Sequence, residues 1–200
     1  QRNLRRLLER QGDEPDQPAL VLLRPSPAPY FIVPVPMIEL PGTLYASRLP
    51  GMVPQNARAE LEALRAHGID EIVCLVPSPQ LRDLHRGDRY LEEVAELFAG
   101  RFHQVPILDH EVPPDDEEYE ACARAVLSAL MEGRDLLVHC VAGCGRTGMF
   151  VASLLVMQGM DPIEAILHFR RHRRCGPDTV EQVAYVIRFA QRLASAREGG

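Results

Sequence analysis

Apolar residues in this chain follow two spacings that alternate from about residue 55 onward. Short apolar runs rich in β-branched residues are typical of buried strands, and such runs occupy residues 69–76, 102–108 and 134–140. Apolar residues at helical spacing predict amphipathic helices, over residues 54–68, 88–100, 113–133, 146–159, 161–173 and 177–196. Strands that alternate with helices predict a single α/β domain with a mainly parallel central sheet and helices on both faces.

Prolines set the first part of the chain apart from this regular pattern. Ten of the seventeen prolines lie at or before Pro54. Proline removes a backbone donor and fixes φ, so it disfavours long helices and central strands. We therefore expect residues 1–40 to form an extended arm that packs on or trails a body of residues 41–200, with short edge strands around residues 30–33 and 43–47.

Composition narrows the classes of partner and environment. The formal net charge of -6 does not favour binding to nucleic acid or to an anionic membrane. The longest apolar run, residues 149–157, is too short to span a bilayer, and the basic start of the chain lacks the apolar stretch of a signal peptide. Five cysteines without a CxxC pair or metal-ligand spacing favour free thiols in a reducing compartment. We expect a cytoplasmic monomer with no cofactor and no metal.

One loop carries the candidate chemistry. The stretch HCVAGCGRTG, residues 139–148, follows a predicted strand and precedes a strongly apolar predicted helix. Ligands of parallel sheets bind at the carboxyl ends of strands, and a helix N-terminus presents unpaired N–H groups to an anion. Gly143 and Gly145 permit the backbone to curl with its amides directed inward. Arg146 would grip two oxygens of a phosphate with its planar guanidinium.

Cys140 lies at the base of this positively charged loop. A cysteine beside an arginine and a helix N-terminus is held as the thiolate, which is the nucleophilic form. Thr147 is the candidate hydroxyl donor to the sulfur, and His139 is the candidate brace of the loop. An inert buried thiol is the alternative, but the strand, the helix, the glycines and the Thr-Gly pair all agree with a phosphate site. The predicted phosphate-binding residues are Val141, Ala142, Gly143, Cys144, Gly145 and Arg146.

The loop resembles the HCxxGxxR[ST]G signature of the cysteine-dependent protein tyrosine and dual-specificity phosphatases. Further segments occur in the order seen in the small dual-specificity branch of kinase-associated phosphatase, at residues 49–51, 67–76, 105–115, 162–173 and 179–186. The resemblance extends from about residue 40 to about residue 195 and leaves the proline-rich arm poorly matched. It implies a phosphotyrosine phosphatase-like fold, a catalytic domain over residues 41–200, and a phosphocysteine intermediate on Cys140.

Cleavage of a phosphate ester also needs a proton for the leaving oxygen, which a carboxylic acid on a mobile loop supplies. The candidates are Asp109, Glu111, Asp115, Asp116 and Glu117. The last three lie at a predicted helix start, where they suit the helix dipole. Asp109 follows a predicted strand that ends in VPIL and precedes a proline-bounded loop, and it matches the general-acid aspartate of the phosphatases. We predict that Asp109 is the general acid and that His110 and Glu111 line its loop.

Hydrolysis of the phosphocysteine requires a positioned water. Many tyrosine phosphatases place it with a glutamine in a QTxxQ-like loop. Here the corresponding stretch reads DTVEQ, so Asp178 replaces the first glutamine and Gln182 keeps the second. The sequence leaves open whether Gln182 positions the water or Asp109 suffices.

Cysteines and arginines close to the loop have two interpretations each. Cys74, in a strand predicted beside that of Cys140, is either a core residue or a redox partner that would trap oxidised Cys140 as a disulfide. Cys144 is a rival partner for the same oxidised thiol. The arginines of FRRHRRC, residues 169–175, form either a solvated helix end or a guide for an acidic or multiply phosphorylated substrate. They also repel a cation from the two nearby histidines, so no metal site is expected.

We predict a metal-independent protein phosphatase whose substrate is a phosphorylated protein or peptide. A shallow pocket would accept phosphotyrosine and also phosphoserine and phosphothreonine. A phosphoinositide or other small phosphomonoester phosphatase is the first alternative, and the neutral side chains of Val141, Ala142 and Cys144 argue against it. A non-catalytic phosphate-binding module and a rhodanese-type sulfurtransferase are alternatives of other classes.

Overall fold

The computed structural model describes residues 32–52, 57–85 and 89–198. Within these ranges five strands form one sheet, and they are β1 (Val33–Val35), β2 (Leu44–Ser47), β3 (Glu71–Cys74), β4 (Phe102–Gln104) and β5 (Leu136–His139). Their order is β1-β2-β5-β3-β4, with β1 antiparallel to β2 and all other pairs parallel. The described helices are α1 (Ala57–Ala66), α2 (Ser78–His85), α3 (Arg89–Leu97), α4 (Asp116–Met131), α5 (Gly145–Met157), α6 (Pro162–Arg173) and α7 (Val180–Glu198). The predicted α/β domain with a mainly parallel sheet is confirmed.

The centre of the sheet is covered on both faces. Strands β3 and β5 are buried at every residue, and successive strand residues point to opposite faces. Helix α1 packs against α3, while α5 packs against α4, α6 and α7. Helix α5 is buried without interruption from Gly145 to Val156, as the apolar run at residues 149–157 predicts. The helix that follows the candidate loop is therefore fixed in the core.

The first two strands differ from the prediction in place and in role. β1 lies at Val33–Val35, slightly later than residues 30–33, and Pro34 is tolerated there because β1 is an edge strand. β2 is flanked by β1 and β5, so the prediction of an edge strand at residues 43–47 was wrong. No proline lies within β2 itself, so the many prolines of the surrounding region did not prevent an internal strand here. The remainder of the arm, residues 1–31, lies outside the described residues.

Two further features of the fold were not predicted, and they are the end of β4 and the whole of helix α2. β4 ends at Gln104, and residues 105–108 continue as extended chain whose amides donate to the carbonyls of Cys74 and Leu75. The VPIL stretch before Asp109 is thus not a strand, although it lies alongside the end of β3. Helix α2 was missed because its second residue, Pro79, belongs to a PSP stretch that indicates a strand end. Proline in the first turn of a helix costs no hydrogen bond.

An aromatic cluster joins three helices behind the sheet. The Tyr119 ring of α4 makes edge contacts with Phe150 of α5 and with Tyr185 and Phe189 of α7, at centroid distances of 5.3, 5.3 and 5.9 Å. Its hydroxyl donates to Ser153 Oγ at 3.0 Å. Complete burial raises the pKa of Tyr119 well above its usual value, so the phenol stays neutral and keeps this bond.

We expect Tyr119→Phe to lower the free energy of unfolding by about 1 kcal/mol, because it removes one buried hydrogen bond and keeps the ring. Ser153 retains its own bond to the Met149 carbonyl. Tyr119→Ala also removes the ring contacts and should cost about 3–5 kcal/mol. Urea denaturation measures both values. Equal losses for the two variants would contradict the assignment of the larger share to ring packing.

Candidate active site

The parallel strands bring their carboxyl ends to one edge of the sheet. The register pairs Ser47 of β2 and Cys74 of β3 with His139, the last residue of β5. Residues 140–146, here called the phosphate loop, leave β5 at this edge and lead into α5. The loop therefore lies between the ends of β2 and β3, at the N-terminus of a buried helix.

Both glycines of the phosphate loop are required by close contacts. Gly143 has φ +74°, and a Cβ there would lie 2.2 Å from the Ser47 carbonyl oxygen. A Cβ on Gly145 would lie 2.7 Å from an Asp178 carboxylate oxygen and 2.9 Å from Gln182 Oε1. Larger residues would push the loop away from β2 on one side and from the start of α7 on the other.

Cys140 is almost completely buried at the base of the loop, with 2% of its surface exposed. The Gly143 backbone N–H donates to its sulfur at 3.2 Å. The hydroxyl of Thr147 is buried and has no hydrogen-bond partner among the described residues. The structure thus places a backbone amide, and not Thr147, on the sulfur.

His139 is fully buried and connects the loop to α3. Its Nε2 lies 2.7 Å from the Tyr90 hydroxyl, and its Nδ1 lies 3.2 Å from the Cys140 carbonyl oxygen. With the proton on Nδ1, the ring donates to this carbonyl and accepts from the tyrosine. His139 therefore has the geometry of a brace. Tyr90 was not singled out in the sequence, because a buried helical tyrosine carries no motif.

Arg146 is almost completely buried, with 1% of its surface exposed, and neutral oxygens bind its Nη1. Its Nη1 donates to Gln80 Oε1 and to the Ile107 carbonyl, each at 2.9 Å. Its Nη2 lies 3.0 Å from Asp109 Oδ1, and its Nε has no partner within the described ranges. The guanidinium is thus fixed in place while it keeps N–H groups for an anion. Gln80 lies in the helix that the sequence did not predict.

Among the acidic candidates, the structure brings Asp109 to the site. Its carboxylate is about half exposed and forms the ion pair with Arg146. Asp115 instead caps α4, where it accepts from the backbone amides of Glu117 and Glu118 at 2.9 Å. Asp116 accepts from the Tyr185 hydroxyl at 2.8 Å. The acidic run therefore serves the helix start, as its sequence indicated.

The start of α7 holds the acid loop, residues 109–112. Thr179 Oγ1 donates to the His110 carbonyl at 3.3 Å, and Gln182 Nε2 donates to the Glu111 carbonyl at 3.2 Å. The Gln182 side-chain oxygen accepts from the Asp178 amide at 2.9 Å. Both ends of the Gln182 amide are thus bound to backbone groups. The contact of Thr179 was not foreseen.

Two arginines of the run, Arg170 and Arg173, bind backbone carbonyls, while Arg171 and Arg174 are exposed as a solvated helix end would be. Arg173 donates from Nε to the Gly143 carbonyl and from Nη2 to the Ala142 carbonyl, each at 3.2 Å. Arg170 donates to the carbonyls of residues 176 and 177 at 3.0 and 2.8 Å. Arg171 pairs with a surface carboxylate, that of Glu164. The sequence did not predict the backbone contacts of Arg170 and Arg173, and a role of the run in guiding an acidic substrate stays a prediction.

One disulfide corrects the expectation of free thiols. Cys144 and Cys175 are bonded, with Cα atoms 5.3 Å apart. Cys144 is therefore not the free rival partner of Cys140. The sequence separation of 31 residues hid the pair, which forms because α6 returns the chain to the phosphate loop.

Cys74, Cys122 and Cys140 are free thiols. Burial, with a smaller contribution from the neighbouring Cys140, raises the pKa of Cys74 to about 12. The redox partnership of Cys74 stays a prediction, and this raised pKa would make its thiol slow to attack. In the part of the chain that the structure describes, no cluster of three or more His, Cys, Asp or Glu residues could hold a metal ion. None of the described helices has the length and apolar character of a membrane span.

Comparisons with known proteins agree with this geometry. Residues 42–189 match the family model described as a Swiss Army Knife protein, DSP-PTPase phosphatase domain. A probable protein tyrosine phosphatase type IVA A of Dictyostelium discoideum is 26% identical over 117 residues, which cover 54% of this chain and 64% of that protein. Cyclin-dependent kinase inhibitor 3 of Sus scrofa is 26% identical over 175 residues, which cover 80% of this chain and 73% of that protein.

Solved structures share the fold. Kinase-associated phosphatase, crystallised with its catalytic cysteine replaced by serine, superposes with a TM-score of 0.76 at 24% identity. The match covers 84% of this chain and 98% of that one. Against the Dictyostelium relative, by contrast, the chain covers slightly less than two thirds of the length.

Removing the disulfide is expected to destabilise the protein. Closing a loop of 31 residues restricts the unfolded chain by about 3–4 kcal/mol, so Cys175→Ser should lower the free energy of unfolding by roughly that amount. A dithiol reductant should destabilise the wild type equally and leave Cys175→Ser unchanged. Urea denaturation with and without reductant tests this, with Cys122→Ser as the control that keeps the bond. A wild type insensitive to reductant would contradict the disulfide.

The free thiols of Cys74 and Cys122 should resist alkylation in the folded protein. Burial raises the pKa of Cys74 and of Cys122 to about 12, and only a thiolate reacts with iodoacetamide. At a pH near 8, well below both values, neither should be modified until urea unfolds the chain. Mass spectrometry of the alkylated peptides measures this. Labelling of either cysteine at the rate of a free peptide thiol would show that the burial is wrong.

Proposed function

Because the chain belongs to the DSP-PTPase family of phosphatases, we propose that it hydrolyses phosphomonoesters of proteins through a phosphocysteine on Cys140. The observation that carries the proposal is the position of Arg146. This buried guanidinium lies at the N-terminus of α5, in the loop that starts with Cys140, and it contacts Asp109 at 3.0 Å. The candidate nucleophile and the candidate anion-binding cation thus share one loop, and the candidate proton donor lies beside the cation.

The first step transfers the phosphoryl group to sulfur. The Cys140 thiolate attacks phosphorus, the P–S bond forms, and the P–O bond to the substrate oxygen breaks. Asp109, which takes up a proton from water after it leaves Arg146, gives this proton as the carboxylic acid to that oxygen, which leaves as the hydroxyl. Loop amides and Arg146 bind the equatorial oxygens, whose charge distribution in the transition state they are oriented to match.

Phosphate binding also requires an exchange of partners at Arg146. In the free enzyme Arg146 Nη2 pairs with Asp109, and a phosphate dianion would compete for the same N–H group. The desolvated guanidinium favours the anion with the greater charge and with two oxygens matched to its fork. Asp109, on an exposed loop, is thereby released toward the leaving oxygen.

The second step hydrolyses the phosphocysteine. Water attacks phosphorus, the P–S bond breaks to regenerate the thiolate, and the Asp109 carboxylate takes the proton from the water. Gln182 is already bound through both ends of its amide to backbone groups at residues 178 and 111. This favours Asp109 as the group that positions the water, and it gives Gln182 the part of a brace.

The proposed substrate is a phosphorylated protein or peptide carrying phosphotyrosine, phosphoserine or phosphothreonine. A phosphoinositide carries additional phosphates that would need cations on the loop. Val141 and Ala142 are neutral, and the side chain of Cys144 is occupied by the disulfide. Initial rates on matched phosphopeptides and phosphoinositides distinguish the two classes. The monomeric state and the cytoplasmic location stay predictions.

Two other classes are less compatible with this geometry. A phosphate-binding module without turnover does not need a carboxylate placed beside the anion site, yet Asp109 lies there. A rhodanese-type sulfurtransferase has no need of that acid. Assays for thiosulfate sulfurtransferase activity and for phosphate release test both alternatives on one preparation.

We expect Cys140→Ser to abolish phosphate release while it preserves binding of a phosphopeptide, because the hydroxyl is a far weaker nucleophile than a thiolate. Release from p-nitrophenyl phosphate and calorimetric binding of the peptide measure the two properties. Cys122→Ser, which replaces another buried free thiol, is the matched control and should keep full activity. Phosphate release by Cys140→Ser at the wild-type rate would rule out the mechanism.

Asp109→Ala should lower kcat by about 10²–10⁴ on phosphopeptides, the range typical of a lost general acid. The loss should be much smaller on p-nitrophenyl phosphate, whose leaving group needs little protonation. Glu111→Gln changes a carboxylate of the same loop and should leave both rates unchanged. An equal loss on both substrates after Asp109→Ala would assign a different role to this residue.

A further inference from the structure

We propose that Arg173 is a positioning residue of this site, which acts on Cys140 by orienting two peptide units of the phosphate loop. The inference deepens the proposed function, since it concerns the same nucleophile. Arg173 is the last residue of α6 and lies 33 positions after Cys140 in the sequence. It does not need to touch substrate for this role.

The geometry links the arginine to the sulfur through one peptide bond. Arg173 Nη2 donates to the Ala142 carbonyl at 3.2 Å, and the N–H of the next residue, Gly143, donates to Cys140 Sγ at 3.2 Å. The carbonyl and the N–H of one planar trans peptide point in opposite directions. Holding the oxygen end toward Arg173 therefore keeps the hydrogen end on the sulfur.

The next peptide unit is held in the same way. Arg173 Nε donates to the Gly143 carbonyl at 3.2 Å, so the N–H of Cys144 is directed away from the arginine. A single planar guanidinium thus fixes two consecutive carbonyls. Lysine, a point charge on a flexible stem, would not offer two donors in this fixed arrangement.

Such a support is needed because the loop has little stiffness of its own. Gly143 has φ +74°, and glycine adopts many backbone conformations at similar free energy. A charged donor makes stronger hydrogen bonds than a neutral one and polarises the peptide that it binds. The positive end of that peptide lies on the Cys140 sulfur, where it favours the thiolate.

Arg173 is itself held firmly relative to the loop. Two residues later, Cys175 is bonded to Cys144 of the loop. Arg170, one turn earlier, donates to the carbonyls of Gly176 and Pro177. The end of α6 is therefore attached to the phosphate loop by a covalent bond as well as by the arginine.

The test compares Arg173→Met with Arg171→Met in the full chain. Arg171 belongs to the same last turn of α6 and pairs with Glu164 at 3.4 Å, so its substitution removes an equal charge from the helix end. The readout is the pH dependence of Cys140 alkylation by iodoacetamide, followed by mass spectrometry. It needs no turnover, so it stands even if the proposed phosphatase activity fails.

We expect Arg173→Met to move the alkylation midpoint upward by about 0.5–1 pH unit, which lowers the rate about three- to tenfold below the midpoint. kcat/KM for p-nitrophenyl phosphate at acidic pH should fall by a similar factor. Arg171→Met should leave both unchanged. The other titratable or charged groups around the phosphate loop stay the same in both variants, and they are Arg146, Asp109, Asp178, His139, Tyr90 and Cys74.

Two other outcomes for these variants would decide against the proposal. Equal shifts in both variants would indicate a general effect of charge at the helix end. A lower melting temperature of Arg173→Met without a shift would indicate a purely structural support. If Arg173→Met does not fold, Arg173→Lys serves instead, and it should shift the midpoint in the same direction by a smaller amount. An unchanged midpoint in Arg173→Lys would then overturn the proposal.

Discussion

The site depends on one constraint. The Arg146 guanidinium must stay charged and available to an anion although it is almost completely buried. Burying an unpaired charge is costly unless polar groups solvate it. The Gln80 side chain and the Ile107 carbonyl supply that solvation at Arg146 without adding negative charge. The exposed Asp109 adds a carboxylate that a phosphate would displace in the proposed mechanism. Neutral oxygens on one side and a replaceable carboxylate on the other therefore keep the cation ready for phosphate.

The loop around the cation also depends on neighbouring groups. A stretch with glycines at positions 143 and 145 loses much conformational entropy on ordering, so its rigidity must come from its surroundings. Three neighbours provide it, and each approaches from a different element. The end of β2 packs against Gly143, the Tyr90 hydroxyl of α3 holds His139, and the end of α6 contributes Arg173 and, two residues later, Cys175. The fold thus positions the loop by bringing together distant parts of the chain.

The difference between local sequence features and tertiary contacts explains what could be predicted from the sequence. The strand, the loop and the helix after it are contiguous, so periodicity and glycine placement indicated them directly. Asp109 was identified from its place after an apolar run, even though that run is not a strand. The partners Gln80, Tyr90 and Cys175 reach the loop only through tertiary packing, and no local pattern marks such contacts. Within the arginine run, only the geometry at the end of α6 separates Arg173 from Arg171.

The acid loop and the phosphate loop are joined through the start of α7. Thr179 and Gln182 hold the carbonyls of His110 and Glu111, while the segment just before them is bonded to the phosphate loop by the disulfide. The first set of contacts consists of two neutral hydrogen bonds longer than 3.1 Å, each worth about 1 kcal/mol. The second set includes a covalent bond. In the proposed mechanism, movement of Asp109 toward a leaving group would therefore break the weak contacts at α7 and leave the phosphate loop in place.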